Sequence, residues 1–503
     1  MNKKMYMAIA AVLMLTLFAF SACGGNNDAD EQEHDYTLNQ QDENGDVSDD
    51  AEADDSGDAS NQQAQAAIAA APPRVEPPII DWRAVPLAST FEPDPDSDFQ
   101  REWAADIAQL RRHILWNHPY FANPAFFNLP ESMETGLAFD ALLNALLYQL
   151  PYLSEFEVLT EIQRANALFQ TTPFQYGAFN MALTDWFPFW ADWLDDGLYI
   201  LSICVTLQHV LNHRIVGING IPLDEVLDAA MPLITGTGEA QRRNTFAQYL
   251  RTPMFIHAIG LGDGRQITYN LVSTAGTAVD LTLHTDQVWG AEWMNLRAED
   301  VPMPLYQTRD ADVWHEYLEE YGILYFRFAA VPTNIPDINN VRRIAETYDL
   351  NAIVVDMRSP NTARSNIMSP SMRTMFNFFG THAPEGRLFV LIDQNNGFYT
   401  GVESALHLES VGAILIGQQS LQFLEGFTTD WMDSTPAWET TLYYSDIWIR
   451  VPTRLLSMNL AGTTREFPDN ALTPHIHVNA MTIEDWYYNR DFWMDVVFEQ
   501  IGN

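Results

Sequence analysis

Cysteine and lysine side chains, which act as nucleophiles and general bases in many active sites, are scarce in this chain of 503 residues. Those present are Lys3, Lys4, Cys23 and Cys204. Cys204 lies in the strand-like run 198–207, where a thiol usually packs as a small apolar group. We therefore predict that Cys204 is buried and does not act as a nucleophile.

The spacing of the histidines does not predict a metal site. His209 and His213 are four residues apart, but the glutamate of a metalloprotease helix is missing between them. His475 and His477 alternate along a predicted strand without a recognisable third ligand nearby. The acidic stretch 42–58 lacks the ordered spacing of a calcium loop. We therefore predict no metal ion and no cofactor.

The N-terminus is typical of a bacterial export signal. Two lysines precede an apolar run at 5–20, which is short for a membrane span. Small residues then lead into Cys23, in a segment that resembles a lipoprotein box. We predict a signal peptide at 1–22 and lipidation of Cys23, so that the protein is anchored to the cell membrane through its lipid and faces the extracytoplasmic side. The mature body would then keep no lysine and no cysteine pair for a disulfide.

Composition separates a tether from a folded body. Residues 23–78 are rich in acidic, amide and alanine side chains, end in a proline-rich stretch, and contain too little apolar surface to fold. We predict that this segment is a disordered acidic tether. The formal net charge of −41 argues against a nucleic-acid partner, because phosphate backbones require clustered lysine and arginine.

The remaining sequence changes character twice. At 79–195 apolar residues recur at helical spacing, which predicts a helical N-terminal cap. Short strand-like runs at 196–320 predict a small β-rich middle unit. At 321–503 compact apolar runs alternate with helical segments, which is typical of an α/β unit with buried, mostly parallel strands.

Individual elements follow from the same patterns. Helices are predicted at 106–116, 139–150, 156–169 and 223–234. Strands are predicted at 198–207, 214–222 with a turn at Asn219-Gly220, 257–261, 266–272, 278–283, 323–328, 352–356, 388–392 and 413–416. The aromatic run 186–193 favours a core or a domain seam, and its alternative interpretation is the wall of a peptide groove.

Several segments between Trp103 and the C-terminus occur in a familiar order. They read IVGINGIPLDEV at 215–226, MPLI at 231–234, GILYF at 322–326, AIVVDMR at 352–358, LFVLI at 388–392, VGAILIG at 411–417, LTPHIHV at 472–478 and TIEDW at 482–486. In this order they resemble the tail-specific, or C-terminal-processing, serine peptidase family. The resemblance implies an α/β protein with a helical cap, a small middle unit and a crotonase-like peptidase core.

The resemblance also implies a serine nucleophile at the start of the helix after the strand at 388–392. The matching residues, GFYTG at 397–401, put Tyr399 at the serine position. A tyrosine hydroxyl, with a pKa of about 10, is poorly suited to a site shaped for a smaller side chain. Thr400 is one position late and Ser404 is about one helical turn further on, so either could serve only in a shifted register.

The general bases of the family are missing at the matching positions. The serine–lysine form is excluded because the mature chain contains no lysine, and the segment LFQTTPF at 168–174, which matches the histidine-bearing turn of the serine–histidine form, contains no histidine. In the loop that would supply an oxyanion donor, Pro360 removes one backbone N–H. The resemblance therefore implies a pseudoenzyme.

We expect a lipid-anchored relative of the tail-specific peptidases that has lost proteolysis and binds a peptide or an envelope protein. Whether the protein is an enzyme stays open at this point. One alternative is an active serine-type peptidase that uses Thr400 or Ser404, with His382 or His407 as the base. The other is a solute-binding lipoprotein, which the order of strands after residue 321 disfavours.

Overall fold

A computed structural model describes most of the chain from Glu92 onward. The described residues are 92–123, 130–169, 175–176, 186–236, 238–287, 289, 292–295, 297, 301–309, 311–329, 338–358, 370–394, 399–421, 424–428, 438–457, 465, 467 and 470–502. They belong to one compact unit, Pro77–Asn503. The predicted signal peptide at 1–22, the lipidation site Cys23 and the tether 23–78 lie outside the described residues.

Helices form the N-terminal part, as the sequence predicts. The helices are α1 (Asp98–Asn117), α2 (Pro119–Ala122), α3 (Pro130–Gln149) and α4 (Glu155–Ala167), with a 3₁₀ turn at Leu150–Tyr152. Helix α1 begins after Ser97, whose hydroxyl accepts the N–H of Gln100, and α4 begins at a capping box formed by Ser154 and Glu157. Their apolar faces, which include Ile107 on α1, form one buried cluster.

An antiparallel sheet forms the middle unit. Its strands are β2 (Phe189–Leu194), β3 (Gly197–Cys204), β4 (Arg214–Ile218), β5 (Ile221–Pro222), β6 (Gln266–Val272), β7 (Ala278–His284) and β8 (Trp293–Met294). The order is β2-β3-β4-β6-β7, with β5 on β4 and β8 on β3. Asn219 and Gly220 have φ angles of 51° and 81°, as a two-residue hairpin turn requires.

Helices pack on this sheet, and one of them replaces a predicted strand. The helical elements are α5 (Leu223–Ala230), α6 (Glu239–Tyr249), α7 (Pro253–Ala258) and 3₁₀ turns at Val205–Val210 and Met231–Leu233. The strand predicted at 257–261 is wrong, because α7 covers its first residues. Pro253 stands at the first turn of α7, where a missing N–H costs nothing. The predicted strand at 198–207 ends at Cys204, which is buried.

Two strands lie outside the sections expected for them. Strand β2 precedes residue 196 but pairs with β3 along its length. Strand β9 (Val313–Leu318) precedes residue 321 but pairs with the first strand of the core. The local sequence patterns that predict the boundaries do not show which sheet a strand joins, because strand pairing depends on tertiary structure.

The core sheet contains β9 together with β10 (Ile323–Phe328), β11 (Ala352–Asp356), β12 (Leu388–Ile392), β13 (Ile414–Gly417) and β18 (Ile476–His477). Its order is β18-β13-β12-β11-β10-β9, in which only β9 is antiparallel to its neighbour among the described pairs. Every residue of β10, β11 and β12 is buried. Burial on both faces explains their continuous apolar sequences.

Helices cover both faces of the core sheet. They are α8 (Ile338–Thr347), α9 (Pro370–His382), α10 (Tyr399–Ser410), α11 (Ile483–Tyr487) and α12 (Phe492–Gly502), with a 3₁₀ turn at Leu305–Gln307. Val355 and Val390 face a cluster with residues of α9 and α10, whereas Val354 and Leu391 face Trp493 of α12. The two-sided packing confirms the predicted α/β class.

Smaller sheets complete the C-terminal part. Their strands are β1 (Gln175–Tyr176), β14 (Glu425–Thr428), β15 (Trp438–Thr441), β16 (Trp448–Val451) and β17 (Arg454–Ser457). Strands β15 and β16 form a hairpin, to which β1 adds on the β16 side, while β14 pairs with β17. Ile449 of this hairpin belongs to the same buried cluster as Ile107 of α1.

Candidate functional site

A cleft lies between the middle unit and the carboxyl ends of β12 and β13. Its outer chamber, of about 490 Å³, is lined by residues of β2, α6 and the segments that follow the two core strands. Those residues include Asp192, Asp195, Glu239, Arg243, Gln394 and Gln419. In open α/β sheets ligands bind outside the carboxyl ends of the strands. The position of the cleft therefore makes it the candidate binding site.

An inner chamber of about 190 Å³ continues from the outer one. The two chambers share Asp192, Trp193, Leu194, Gln394 and Ala480. The inner chamber is walled by Tyr306, Arg358, Asp393, Trp486 and Trp493. Aromatic walls with a few polar groups are typical of a ligand pocket.

Hydrogen bonds hold the middle unit against the core at this cleft. The backbone N–H of Asp195 donates to Met481 O at 2.9 Å, and the N–H of Ile483 donates to a carboxylate oxygen of Asp196 at 3.2 Å. The turn between β2 and β3 is therefore tied to the closing segment of the chain. These bonds position the side chains of β2 over the carboxyl end of the core sheet.

Asp192 is a titratable group of the cleft with a shifted pKa. Its carboxylate accepts the N–H of Trp193 at 2.8 Å, and the side chain is half-buried. Burial raises the pKa of Asp192 to about 6, although the hydrogen bond from Trp193 opposes the shift. A carboxyl group shifted toward neutral pH in a cleft is typical of a functional site.

The aromatic run at 186–193 lies partly in the core of the middle unit and partly on the wall of the cleft. Phe187 and Phe189 are buried in the core of the middle unit. Trp193 lines the cleft, where its indole N–H donates to Arg243 O at 2.9 Å and the Arg243 guanidinium lies 4.4 Å from its ring centre. The run therefore lies largely in the core, and Trp193 at its end lines the cleft; that this cleft is a peptide groove stays a prediction.

A buried ion cluster lies behind the inner chamber. Asp356 binds Arg358 Nε at 3.0 Å and Arg327 Nη1 at 3.2 Å, and accepts the hydroxyl of Tyr325 at 2.6 Å. Burial raises the pKa of the Asp356 carboxyl, but the two arginines and the hydrogen bonds outweigh it and hold the pKa below its ordinary value. Arg358 also binds Asp491, next to α12. The cluster joins β10, β11 and the C-terminal helix.

Gly417 brings β13 close to its neighbours at the edge of the cleft. Its φ is +142°, and a methyl group there would overlap the carbonyl oxygen of Ile392 and approach Trp493 Nε1 to 2.6 Å. The indole N–H of Trp493 donates to that same carbonyl at 2.9 Å. The close approach requires glycine at this position.

The predicted nucleophile region begins a helix. Helix α10 starts at Tyr399, after β12, and the side chains of Tyr399 and Thr400 lie outside the described residues. Ser404 is fully buried, and its hydroxyl has no hydrogen-bond partner among the described residues. The geometry therefore does not bring Ser404 to the cleft.

The two histidines considered as bases both contact α9. His407 Nε2 lies 3.0 Å from Asn377 Oδ1, and the ring of His382 stacks on Phe378 at 3.8 Å. Burial, and after it Arg373, lowers the pKa of His407. His407 is eight residues from the start of α10, a distance of about 12 Å at about 1.5 Å per residue. Neither histidine lines the cleft.

The histidines and the cysteine for which the sequence predicts no site have structural contacts. His213 Nδ1 lies 3.2 Å from Leu211 O, and His475 Nδ1 accepts the N–H of Leu415 at 2.9 Å. The Sγ of Cys204 lies 3.3 Å from the hydroxyl of Thr206. In the part of the chain that the structure describes, no group of three or more histidine, cysteine or acidic side chains is arranged to hold a metal ion.

Sequence reasoning missed the cleft and Asp192. Asp192 occurs within the aromatic run, and an acidic residue among aromatic ones is the sequence feature from which a site could have been predicted. Its neighbours in the cleft, Asp393 and Gln394, come directly after a predicted core strand, where ligand-binding residues commonly lie. No described helix is both long enough and apolar enough to cross a bilayer.

Comparisons with known proteins find likeness in three-dimensional structure. No protein-family model and no curated protein matches the sequence. Mature CPAF complexed with lactacystin matches with a TM-score of 0.49 and 10% identity, over 81% of this chain and 100% of its own. The photosystem II D1 C-terminal processing protease matches with a TM-score of 0.35 and 12% identity, over 81% of this chain and 98% of its own. Both are similarities of three-dimensional structure at low sequence identity.

Proposed function

We propose that this protein is a lipid-anchored, extracytoplasmic relative of the tail-specific peptidases that binds peptides in the cleft without cutting them. The observation that carries the proposal is the start of helix α10 at Tyr399, beside the carboxyl end of β12. A peptidase of this kind requires a serine there. Tyrosine has a larger side chain than serine, and its hydroxyl, with a pKa of about 10, is poorly suited to replace a serine nucleophile.

The placement of other hydroxyl and imidazole groups supports the loss of proteolysis. Ser404 is fully buried, so that its hydroxyl is not accessible to a substrate. His382 and His407 are engaged with residues of α9, away from the cleft. Acyl transfer needs a nucleophile and its base within hydrogen-bond reach of each other.

The walls of the cleft support peptide binding. Amide side chains, which both donate and accept hydrogen bonds, line it at Asn244, Gln394, Gln418 and Gln419. Peptide groups present the same two functions along an extended ligand. Strand β2, at the end of its sheet, forms one wall of the outer chamber. Extended peptides commonly bind beside such edge strands.

Activity and binding are tested on the purified mature chain. Cleavage of casein and of a mixed-peptide library is measured together with labelling by a fluorophosphonate, and peptide capture is measured on the same preparation. The proposal expects capture without cleavage or labelling. Cleavage that disappears in the Thr400→Ala, Ser404→Ala double variant would instead identify an active serine-type peptidase in a shifted register.

Anchoring is tested separately through Cys23. Cells that produce the protein are fed a radiolabelled fatty acid, and the label on the protein is compared with that on a Cys23→Ser variant. We expect the wild type to carry the label and to sediment with membranes, and the variant to lose both properties. A labelled variant, or an unlabelled wild type, would contradict anchoring and leave the peptide-binding proposal unaffected.

A further inference from the structure

The charges on the wall of the cleft are unbalanced. Among the described residues, carboxylates line it at Asp192, Asp195 and Glu239, and guanidinium groups line it at Arg243 and Arg358. Asp356 and Asp491 already neutralise Arg358. Arg243 lies 3.9 Å from a carboxylate oxygen of Glu239. The cleft therefore presents negative charge to a ligand, which favours a cation.

At the junction of the two chambers, Asp192 is a carboxylate without a counter-charge from the part of the chain that the structure describes. It forms no ion pair with a cation of the described residues, and its hydrogen bond comes from a backbone N–H. A half-buried carboxylate without a cation costs stability. Side chains that are unfavourable for stability commonly occur at functional sites. A cationic ligand would supply the missing charge.

The inner chamber has the size and the walls for one long side chain. An engineered apolar cavity of about 150 Å³ holds a benzene molecule, and this chamber measures about 190 Å³. Tyr306, Trp486 and Trp493 provide apolar surface along it. Lysine and arginine pack their stems on such surfaces while the charged head group reaches a polar partner.

We propose that the inner chamber takes the lysine or arginine side chain of a bound peptide, whose charge is compensated by Asp192 at the junction of the two chambers. The inference rests on the proposed function, because it names the ligand class of the same cleft. The ion cluster behind the chamber keeps Arg358 paired, so that its charge does not repel the incoming cation.

The test uses the full chain and four fluorescent peptide pools. Each pool has lysine, arginine, norleucine or glutamate at one fixed position among randomised uncharged residues, and its affinity is measured by fluorescence anisotropy. Norleucine matches the length of the lysine stem without its charge. We expect the lysine or the arginine pool to bind at least about tenfold tighter than the norleucine pool, which corresponds to about 1.4 kcal/mol. The tighter of the two pools identifies the preferred cation.

Single substitutions test which residue recognises the cationic side chain. Asp192→Asn keeps an oxygen that accepts the N–H of Trp193, and we expect it to bring the affinity for the cationic pools down to that for the norleucine pool. Asp393→Asn is the second variant, and we expect it to weaken binding of the same pools should Asp192→Asn fail to fold. Asp228→Asn makes the same charge change on the exposed face of α5 and is expected to leave all four affinities unchanged.

The outcomes separate this inference from the proposed function. Equal affinity for all four pools would overturn the cation preference and leave peptide binding standing. A cation preference that survives in folded Asp192→Asn would also overturn the inference, because the charge would then be recognised elsewhere. The absence of binding by any pool would overturn both.

Discussion

At the scale of single residues, the cleft contains a carboxylate whose burial is unfavourable for stability. Asp192 lies on a strand whose residues Phe189 and Ala191 are buried in the core, yet its carboxylate forms no ion pair with a described residue. Burial raises the pKa of this carboxyl to about 6, so that its charged form is disfavoured in the folded protein. The effect of this burial on the free energy of unfolding can be measured without knowledge of the ligand.

Asp192→Asn is expected to stabilise the protein at high pH but not at low pH. Burial raises the folded-state pKa to about 6, whereas an unfolded aspartate titrates at about 3.9. The folded state therefore holds a proton that the unfolded state releases, and stability falls as the pH rises from about 4 to about 6. After discounting for partial solvent exposure, we expect the variant to gain about 1–2 kcal/mol at pH 8 and almost nothing at pH 4.

Urea denaturation at the two pH values measures this difference. Asp228→Asn, with its side chain exposed on α5, provides the control and should change stability equally at both values. An equal effect of Asp192→Asn at pH 4 and pH 8 would show that the carboxyl group carries no raised pKa in the folded state.

Ser404→Ala is expected to stabilise the protein by about 1 kcal/mol, because a buried hydroxyl without a partner keeps its desolvation penalty. The Oγ of Ser404 is such a group among the described residues. Thermal denaturation measures the effect, and peptide binding should not change. Ser410→Ala, at the exposed end of α10, is the control, with an expected change below about 0.5 kcal/mol. A loss of stability above that level, or a loss of binding, would mean that Ser404 has a role which its burial does not reveal.

At the scale of elements, an ion cluster secures the strands whose ends form the cleft. Asp356 ends β11 and binds Arg327 of β10, and through Arg358 the cluster extends to Asp491 before α12. Buried charges of this kind contribute little net stability as a set but become costly when one member is removed. The cluster therefore holds the elements in one arrangement.

Asp356→Asn is expected to cost about 3–5 kcal/mol, because it leaves Arg327 buried without its counter-ion. Arg327 is 4% exposed. The free energy of unfolding in urea is the measurement. Glu316→Gln breaks the exposed pair with Arg309 and should cost less than about 1 kcal/mol. Similar costs for the two variants would contradict the importance of burial.

At the scale of the whole molecule, a hairpin from the C-terminal part completes the core of the helical N-terminal part. Both carboxylate oxygens of Asp106 on α1 accept backbone N–H groups, from Tyr444 at 3.1 Å and from Ser445 at 2.8 Å. Ile449 of the hairpin is buried with the apolar faces of the helices. The cap and the hairpin are therefore expected to lose their structure together.

Ile449→Ala is expected to destabilise the protein by about 2–4 kcal/mol, because it leaves a cavity under the helices. Limited proteolysis should then cut both the cap and the hairpin faster than in the wild type. Tyr443→Ala removes a side chain that is 74% exposed on the same hairpin and is expected to leave the cleavage pattern unchanged. Faster cleavage confined to the hairpin would show that the cap folds independently of it.

Local sequence patterns were sufficient for most of the elements. The buried strands β10, β11 and β12 were predictable because strands covered on both faces must be apolar throughout. The turn at Asn219-Gly220 was predictable because few other residue pairs adopt two positive φ angles. The start of α10 near Tyr399 followed from the resemblance to the peptidase family, which agrees with the observed position of the helix.

Long-range contacts decided the rest. The strand expected at 257–261 became the helix α7, since apolar spacing over five residues does not distinguish the two and Pro253 starts a helix. The addition of β2 and β9 to their sheets, and of the hairpin to the helical cap, depends on partners far along the chain. The candidate site depends on long-range contacts more than the secondary structure does. Asp192 and Asp393 are separated by 200 residues in the sequence, and only the packing of the middle unit on the core brings them to one cleft.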